Sequence, residues 1–247
     1  MSSPGSSARH PGESRQTTEH GWPGHIAAVI FDFDDTLADT FEARRTALQR
    51  VFDDEGFTQL TAAQFMRVHW GMPFQTSLPE YFPRAVARAI SARYRAAYWT
   101  GATHHVRLYD GVLALLQAMR ERGLPMAVLT SKHRRVSEDG YEGGAQLELE
   151  RLGIAPHFRR ILGFEDVRRH KPDPEGVHAL LGEMGVAPSA ALLVGDSAAD
   201  MLAARNAGCW SALARWGVPD DHQPIGVTGD VTLTTPHDLR RHLLDAR

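Results

Sequence analysis

A run of acidic residues, Asp-Phe-Asp-Asp-Thr at residues 32–36, directly follows an apolar segment near the start of the chain. Two carboxylates two residues apart, Asp32 and Asp34, can face one pocket, where one attacks a substrate and the other moves protons. The same short pattern also occurs as an ordinary Asp-rich turn. Its chemistry therefore depends on what the fold brings beside it.

A hydroxyl pair and a lysine are the next candidates. Thr130 and Ser131 follow a second apolar segment, and a hydroxyl there can donate a hydrogen bond to a bound oxyanion. Lys171 begins a Lys-Pro-Asp-Pro run, whose prolines stiffen the loop and favour the start of a helix. Its ammonium can balance several carboxylates and a phosphate. Taken singly, Thr130 is equally typical of a cap residue and Lys171 of a solvated surface.

A second acidic pair, Asp196 and Asp200, follows another apolar segment late in the chain. If a helix begins here, Asp200 lies one turn after Asp196. Ligands that are all oxygen suit a hard cation such as Mg²⁺. The alternative for Asp196 is a helix N-cap.

The elements that must position these residues are buried strands and the helices between them. Apolar runs predict strands at 26–31, 125–129, 160–162 and 191–194. Helical patterns lie at 111–122 and 174–184. This alternation predicts a doubly wound, Rossmann-like α/β core with a parallel sheet. Because the carboxyl ends of parallel strands meet at one edge, the candidate residues should form one site.

The stretch at 40–104 interrupts the alternation, because it has no good strand pattern. Its helical segments lie at 61–69 and 83–99. We interpret it as a helical cap inserted after the first strand, and expect the α/β catalytic core at 25–39 and 105–247. Residues 1–24 are rich in Ser, Gly, Pro and His, which predicts a disordered tail.

With these motifs in this order, the sequence resembles the haloacid dehalogenase superfamily, in its phosphoglycolate-phosphatase-like branch with a helical cap. The likeness rests on the acidic run at 32–36, Thr130, the Lys-Pro-Asp-Pro run at 171–174, and Gly-Asp at 195–196 with Asp200. It extends from about residue 26 to the C-terminus and includes the Trp-Gly pair at 216–217.

The resemblance implies a Mg²⁺-dependent phosphatase that hydrolyses a small phosphorylated metabolite. Asp32 would attack phosphorus and form an aspartyl-phosphate, and Asp34 would protonate the leaving oxygen and then activate water. Mg²⁺ would lie between Asp32, the main-chain carbonyl of Asp34, and Asp196.

The remaining motif residues would support this centre. The resemblance implies that Thr130, with Ser131 beside it, holds a phosphoryl oxygen. Lys171 would offset the crowded negative charge, and Asp200 would orient Lys171 or a metal-bound water. A phosphomutase or a pyrophosphatase would use the same residues, and the non-enzymatic alternative is a module that binds or senses a phospho-ligand. No motif acid is lost, which favours an enzyme.

The His-Trp-Gly-Met-Pro-Phe segment at 69–74 matches a cap loop that closes over the leaving group in proteins this one resembles. Candidate substrate contacts are Trp70, Gly71, Met72 and Phe74, with His133 from the core. The alternative is that the loop packs the cap's own small core. The loop has no Lys or Arg. An apolar or ring-containing leaving group is therefore expected, unless a cation such as Arg44, Arg45 or His133 reaches in.

Two departures from the family pattern stand out. Asp35 occupies a position that is usually Gly in the family, which adds a carboxylate near the metal loop. The loop after Thr130 is longer than usual and has three glycines at 137–144. These glycines predict mobility, and the segment is either a lid element or a neutral surface loop.

Composition excludes several other classes. The net charge of −3 gives no electrostatic case for nucleic acid or an anionic membrane as partner. No apolar window reaches the roughly 18 residues of a membrane helix, and the N-terminus lacks the apolar core of a signal peptide, so a cytoplasmic location is expected. The one cysteine, Cys209, excludes an internal disulfide and a Cys-rich zinc site. We expect a monomer or a homodimer.

Overall fold

A computed structural model of the chain describes residues 25–138, 140–217 and 228–245. The described strands, in chain order, are β1 (Ala28–Phe31), β2 (Ala38–Asp39), β3 (Arg107–Leu108), β4 (Met126–Leu129), β5 (Val136–Glu138), β6 (Tyr141–Gly143), β7 (Arg160–Leu162), β8 (Ala191–Gly195), β9 (Trp210–Ala214) and β10 (Val231–Leu233). The α-helices are α1 (Phe41–Asp54), α2 (Ala62–Val68), α3 (Phe74–Ser77), α4 (Arg84–Ala97), α5 (Val112–Glu121), α6 (Ala145–Arg151), α7 (Glu175–Met184), α8 (Ala198–Ala207) and α9 (Pro236–Arg240).

A six-stranded parallel sheet forms the centre of the molecule, in the order β10-β9-β8-β1-β4-β7. β1 lies between β4 and β8, and its last residue, Phe31, pairs with Val128 on one side and Val194 on the other. Strand order reverses around β1, which is the topology of a doubly wound sheet. The predicted α/β fold is confirmed.

The sheet is covered on both faces, which explains why its strands are continuously apolar. Val29 and Phe31 of β1 point into one buried cluster, and Ala28 and Ile30 point into the other. All four side chains are at most 1% exposed. Cys209 is buried in the second cluster, as a small apolar residue would be.

The helical insertion, residues 40–104, has an apolar cluster of its own. Its buried members include Leu48, Phe52, Phe65 and Ile90, and Phe52 packs edge-on against Phe65 with ring centroids 5.6 Å apart. α2 begins with a capping box in which Thr61 and Gln64 exchange hydrogen bonds. α2 and α4 fall within the two segments predicted from the sequence, whereas α1 and α3 were not predicted. α4 continues into a π-helical turn at Tyr98–Ala102.

Several elements differ from the sequence-based expectation. The strand β9, the edge strand β10 and the short β2–β3 pair at the base of the insertion were not predicted. The Gly-rich segment at 137–144 contains an antiparallel hairpin of β5 and β6 rather than an irregular loop. Gly143 of this hairpin lies against the ring of Trp99, where a Cβ would approach to 2.3 Å.

The predicted disordered tail at 1–24 lies outside the described residues. Within the described ranges, no helix combines the length and apolar character needed to cross a membrane.

Candidate active site

The sheet brings the four motifs to one edge, at the carboxyl ends of neighbouring strands. Asp32 directly follows β1, and its backbone N–H donates to the carbonyl of Val194 at 2.9 Å. Thr130 follows β4 and Asp196 follows β8, so both flank Asp32. All three side chains are buried, at 4–8% exposure. Because all three strands run parallel and in register, their following residues converge on one cleft.

Lys171 joins this group from the loop before α7. Its Nζ donates to Asp32 Oδ1 at 2.7 Å, to Asp200 Oδ1 at 2.6 Å and to the carbonyl of Leu129 at 3.1 Å. Burial alone would lower the pKa of Lys171, but the carboxylates of Asp200 and Asp32 raise it above its usual value. The ammonium therefore stays charged and fixed between two acids, and it is not the solvated surface lysine of the alternative interpretation.

Asp32, Asp196 and Asp200 offer carboxylate oxygens that lie within 4.8 Å of one another. Burial raises the pKa of Asp32 to about 7, with Lys171 opposing this, and burial together with Asp32 and Asp200 raises the pKa of Asp196. Crowded, desolvated carboxylates that lack enough positive charge are the environment a hard divalent cation stabilises. The donor set fits Mg²⁺.

Asp200 is held from the start of α8. Its Oδ2 accepts hydrogen bonds from the backbone N–H and the hydroxyl of Ser197, while its Oδ1 faces Lys171. Ser197 is the N-cap of this helix, so the alternative role of Asp196 as the N-cap does not apply. Gly195 makes room for Asp200, because a Cβ there would lie 2.3 Å from Asp200 Cγ.

A second lysine, Lys132, has a side chain that is only 11% exposed and contacts the other acid of the first motif, and the sequence did not predict it. Its Nζ lies 2.8 Å from Asp34 Oδ1 and 2.6 Å from Glu148 Oε2. Burial would raise the pKa of Asp34, but Lys132 and Arg44 lower it below its usual value. The lysine therefore favours the ionised form of Asp34 when no substrate is bound.

The surroundings of Lys132 are largely apolar and aromatic. Its Nζ lies 4.7 Å from the ring centroid of Tyr98 and 5.0 Å from that of Phe33. Glu148 is 2% exposed and also accepts a 2.6 Å hydrogen bond from the Tyr98 hydroxyl. Burial raises the pKa of Glu148, and Lys132 opposes that rise. Lys132 thus supplies the charge that this buried carboxylate needs.

The loop predicted to contact the leaving group reaches the core at Trp70 and Gly71. Trp70 Nε1 donates to Asp196 Oδ2 at 2.7 Å, and its ring stacks on Phe41. Gly71 has φ +76°, and a Cβ there would lie 2.4 Å from Ser197 Cβ. Ser131 Oγ donates to the Gly71 carbonyl at 3.3 Å. The helical insertion is therefore in direct contact with the acidic centre.

The other loop and core candidates also line the cleft. Met72 is 42% exposed, His133 lies 2.9 Å from Gln75 Nε2 through its own Nε2, and Phe74 packs against Tyr94 with ring centroids 4.8 Å apart. Phe74 thus faces the cleft and also belongs to the apolar packing of the helical insertion.

Asp35, the departure from the family pattern, has the left-handed conformation that Gly would adopt there, with φ +58°. Its side chain is 1% exposed and accepts hydrogen bonds from the backbone N–H and hydroxyl of Thr40, each at 3.3 Å, and from Arg44. Arg44 lines the cleft. Arg45, the alternative cation, instead pairs with Glu42 on the outer surface of α1.

The amino-acid sequence is similar to those of known proteins. The sequence model of a family described as haloacid dehalogenase-like hydrolase matches residues 29–214. A phosphoglycolate phosphatase of Rhodospirillum rubrum is 31% identical over 212 residues, which cover 82% of this chain and 84% of that protein. An N-acetylmuramic acid 6-phosphate phosphatase of Pseudomonas aeruginosa is 30% identical over 225 residues, covering 87% and 93% respectively.

The architecture is also similar to solved structures. The crystal structure of a hydrolase from Pseudomonas syringae matches with a TM-score of 0.73 and 25% identity, covering 89% of this chain and 98% of that chain.

Replacing Lys132 with Met should lower the free energy of unfolding by about 3–5 kcal/mol, because Glu148 would be left buried without its cationic partner. The double variant Lys132→Met/Glu148→Gln should recover most of this loss. Chemical denaturation of the three proteins measures both values. Equal losses in the single and double variants would show that the ion pair is not the source of the effect.

Proposed function

The chain belongs to the haloacid dehalogenase-like hydrolases, and on this premise we propose that it is a Mg²⁺-dependent phosphatase of small phosphate monoesters. One observation carries the proposal: Asp32, Asp34, Thr130, Lys171 and Asp196 line a single cleft at the edge of the sheet. Phosphoryl transfer depends mostly on positioning and on neutralising charge, and this cleft offers both.

Asp32 is the proposed nucleophile. Its carboxylate oxygen forms a bond to phosphorus while the bond from phosphorus to the ester oxygen breaks, giving an aspartyl-phosphate and an alcohol. Its Oδ1 is fixed by the 2.7 Å hydrogen bond from Lys171, and this restricts its side chain for in-line attack. Water then attacks the aspartyl-phosphate, which releases phosphate and restores the carboxylate.

Asp34 is the proposed acid and base. In the first step it relays a proton, taken from solvent or from a monoprotonated ester, to the leaving oxygen, and in the second it takes one from the attacking water. Its ion pair with Lys132 keeps the side chain in the cleft and favours the carboxylate, which is the form needed to activate water.

Asp32, Asp196 and the main-chain carbonyl of Asp34 are the groups we propose to hold Mg²⁺. The cation would supply positive charge against the phosphoryl oxygens and the crowded carboxylates. Thr130, which is 4% exposed, and Ser131 are placed to donate to a phosphoryl oxygen. Asp200 positions Lys171 through the 2.6 Å contact between them.

The helical insertion at residues 40–104 is the proposed cap, and the substrate lies between it and the core. Its loop contacts Asp196 through Trp70, and Met72 and Phe74 line the same cleft. Two relatives carry the names of small phosphate esters, phosphoglycolate and N-acetylmuramic acid 6-phosphate. These names support a small phosphorylated metabolite as substrate.

Asp32→Asn should lower phosphate release by about 10³-fold or more, because the amide cannot form the aspartyl-phosphate. The fold should be retained, since the side chain keeps its size. Phosphate release and circular dichroism measure the two effects, with the exposed Asp53→Asn variant as control. Near-normal turnover by folded Asp32→Asn protein would rule out the nucleophile.

Asp34→Asn should slow alkyl phosphates by about 10²–10⁴-fold and aryl phosphates much less in the first step, because a phenolate leaves with little protonation. Single-turnover kinetics on a matched alkyl and aryl pair separate this step from water attack, for which both substrates need Asp34. Equal losses on both esters in the first step would assign Asp34 another role.

Removal of divalent cations should abolish turnover, and Mg²⁺ should restore it better than Ca²⁺, whose looser coordination does not suit in-line transfer. Mg²⁺ should also raise the melting temperature of the wild-type protein, because a ligand that binds the native state stabilises it. Asp196→Asn should lose this rise and Asp53→Asn should keep it. Full activity after exhaustive chelation contradicts the metal assignment.

A further inference from the structure

The wall of the cleft that the helical insertion contributes has polar groups that the proposed phosphoryl chemistry does not use. They come from Arg44 on α1 and from Ser91 and Arg95 on α4, and all three residues line the same cleft as Asp32 and Lys171. We refer to these three residues as the donor wall.

Each member of the donor wall has an unsatisfied polar atom. Arg44 Nε, Ser91 Oγ and Arg95 Nε are buried, and none has a hydrogen-bond partner among the described residues. The Ser91 side chain is 4% exposed. Buried polar groups are normally satisfied, and leaving one unpaired is destabilising. Three such atoms on one wall indicate that a bound molecule supplies the missing partners.

Arg44 is held in place by neighbouring residues. Asp35 accepts from Arg44 Nη2 while Thr40 donates to Asp35 from two atoms, so the carboxylate that orients the guanidinium is itself fixed. This contact uses one of the five N–H donors of the guanidinium. A side chain already ordered in this way loses little entropy when it binds a ligand.

Arg95 is anchored in a similar way from the core side. Its Nη2 donates to Glu138 of the β5–β6 hairpin at 2.7 Å, and Glu138 also accepts from the Tyr141 hydroxyl. The hairpin therefore fixes the second guanidinium of the donor wall. This gives a structural role to the segment at 137–144.

We propose that the donor wall binds a second anionic group, a carboxylate or a phosphoryl group, on the leaving group of the substrate. This rests on the phosphatase function proposed above. A guanidinium can only donate hydrogen bonds, so its matching partner is an acceptor, and charged acceptors bind it most strongly. Arg44 lines the same cleft as Asp34 and Asp196, so the second anion lies in the cleft that holds the phosphoryl site.

This inference changes the expectation drawn from the cap loop alone. Because the loop has no cation, the sequence favoured an apolar or ring-containing leaving group, unless a cation such as Arg44, Arg45 or His133 reached in. The cations come from α1 and α4, and the loop's apolar residues line the same cleft.

Substrates matched in size test the proposal. The short series is 2-phosphoglycolate, ethane-1,2-diyl bisphosphate and 2-hydroxyethyl phosphate, and the longer pair is 4-carboxyphenyl phosphate and 4-(hydroxymethyl)phenyl phosphate. The wild-type kcat/KM should be at least about 10-fold higher on an anionic member of one series than on its neutral partner. The two anionic members of the short series separate a carboxylate ligand from a phosphoryl ligand.

Arg44→Met should lower kcat/KM on the preferred anionic ester by about 10–100-fold and on its neutral partner by less than about threefold. Arg45→Met is the matched control, because Arg45 is on the same helix but pairs with Glu42 at the surface, and it should leave the preference unchanged. If Arg44→Met does not fold, Asp35→Asn/Arg44→Met removes both charges together, and Asn tolerates the positive φ at position 35. The same loss of preference is expected from the double variant.

Two results would overturn the proposal: no wild-type preference for the anionic member in either series, or equal losses on anionic and neutral esters in the Arg44 variants. Failure of the phosphatase function would look different, since no ester, including p-nitrophenyl phosphate, would release phosphate. In that case, calorimetry measures the affinity of the same esters in the presence of Mg²⁺ and tests whether the donor wall binds the second anionic group. Arg44-dependent, tighter binding of the anionic member supports it, and equal or absent binding contradicts it.

Discussion

Asp32, Asp196 and Asp200 are buried with carboxylate oxygens within 4.8 Å of one another, and each has lost most of its hydration. Such an arrangement is stable only where positive charge is fixed beside it, and Lys171 supplies part of that charge through Asp32 and Asp200. Most features of the site follow from this constraint. The Lys-Pro-Asp-Pro loop positions the ammonium, the start of α8 orients Asp200, and the remaining negative charge favours a divalent cation.

The fold and the four motifs could be predicted because both depend on local sequence. A strand buried on two faces is continuously apolar, so β1, β4, β7 and β8 are visible in the sequence. Parallel strands place their carboxyl ends together, so residues that follow them must converge, whatever the intervening chain does. β9 and β10 were missed. β9 is fully buried, but small residues take the place of the large aliphatic ones that mark the other strands, and β10 alternates buried and exposed positions over three residues.

Other parts of the site depend on contacts between distant segments. Lys132 lies in a polar run after Thr130, and its position depends on hydrogen bonds to Glu148 and to the hydroxyl of Tyr98. Arg44 was named from the sequence only as one of three cations that could reach the leaving group, and its place in the cleft depends on its contact with Asp35. Gly143 lies where the backbone meets the ring of Trp99, and a side chain there would clash with it. The glycine-rich composition at 137–144 does not reveal this contact.

The hydrogen bond from Trp70 to Asp196 joins the helical insertion to a carboxylate of the acidic centre. A movement that withdraws the loop at residues 69–74 must break this bond and change the electrostatic environment of Asp196. By thermodynamic linkage, an ion that binds Asp196 more tightly in one loop position must favour that position by the same factor. For a cation bound as proposed above, loop position and cation affinity would be two readouts of one equilibrium, and a spectroscopic probe on the loop would report metal binding without any substrate present.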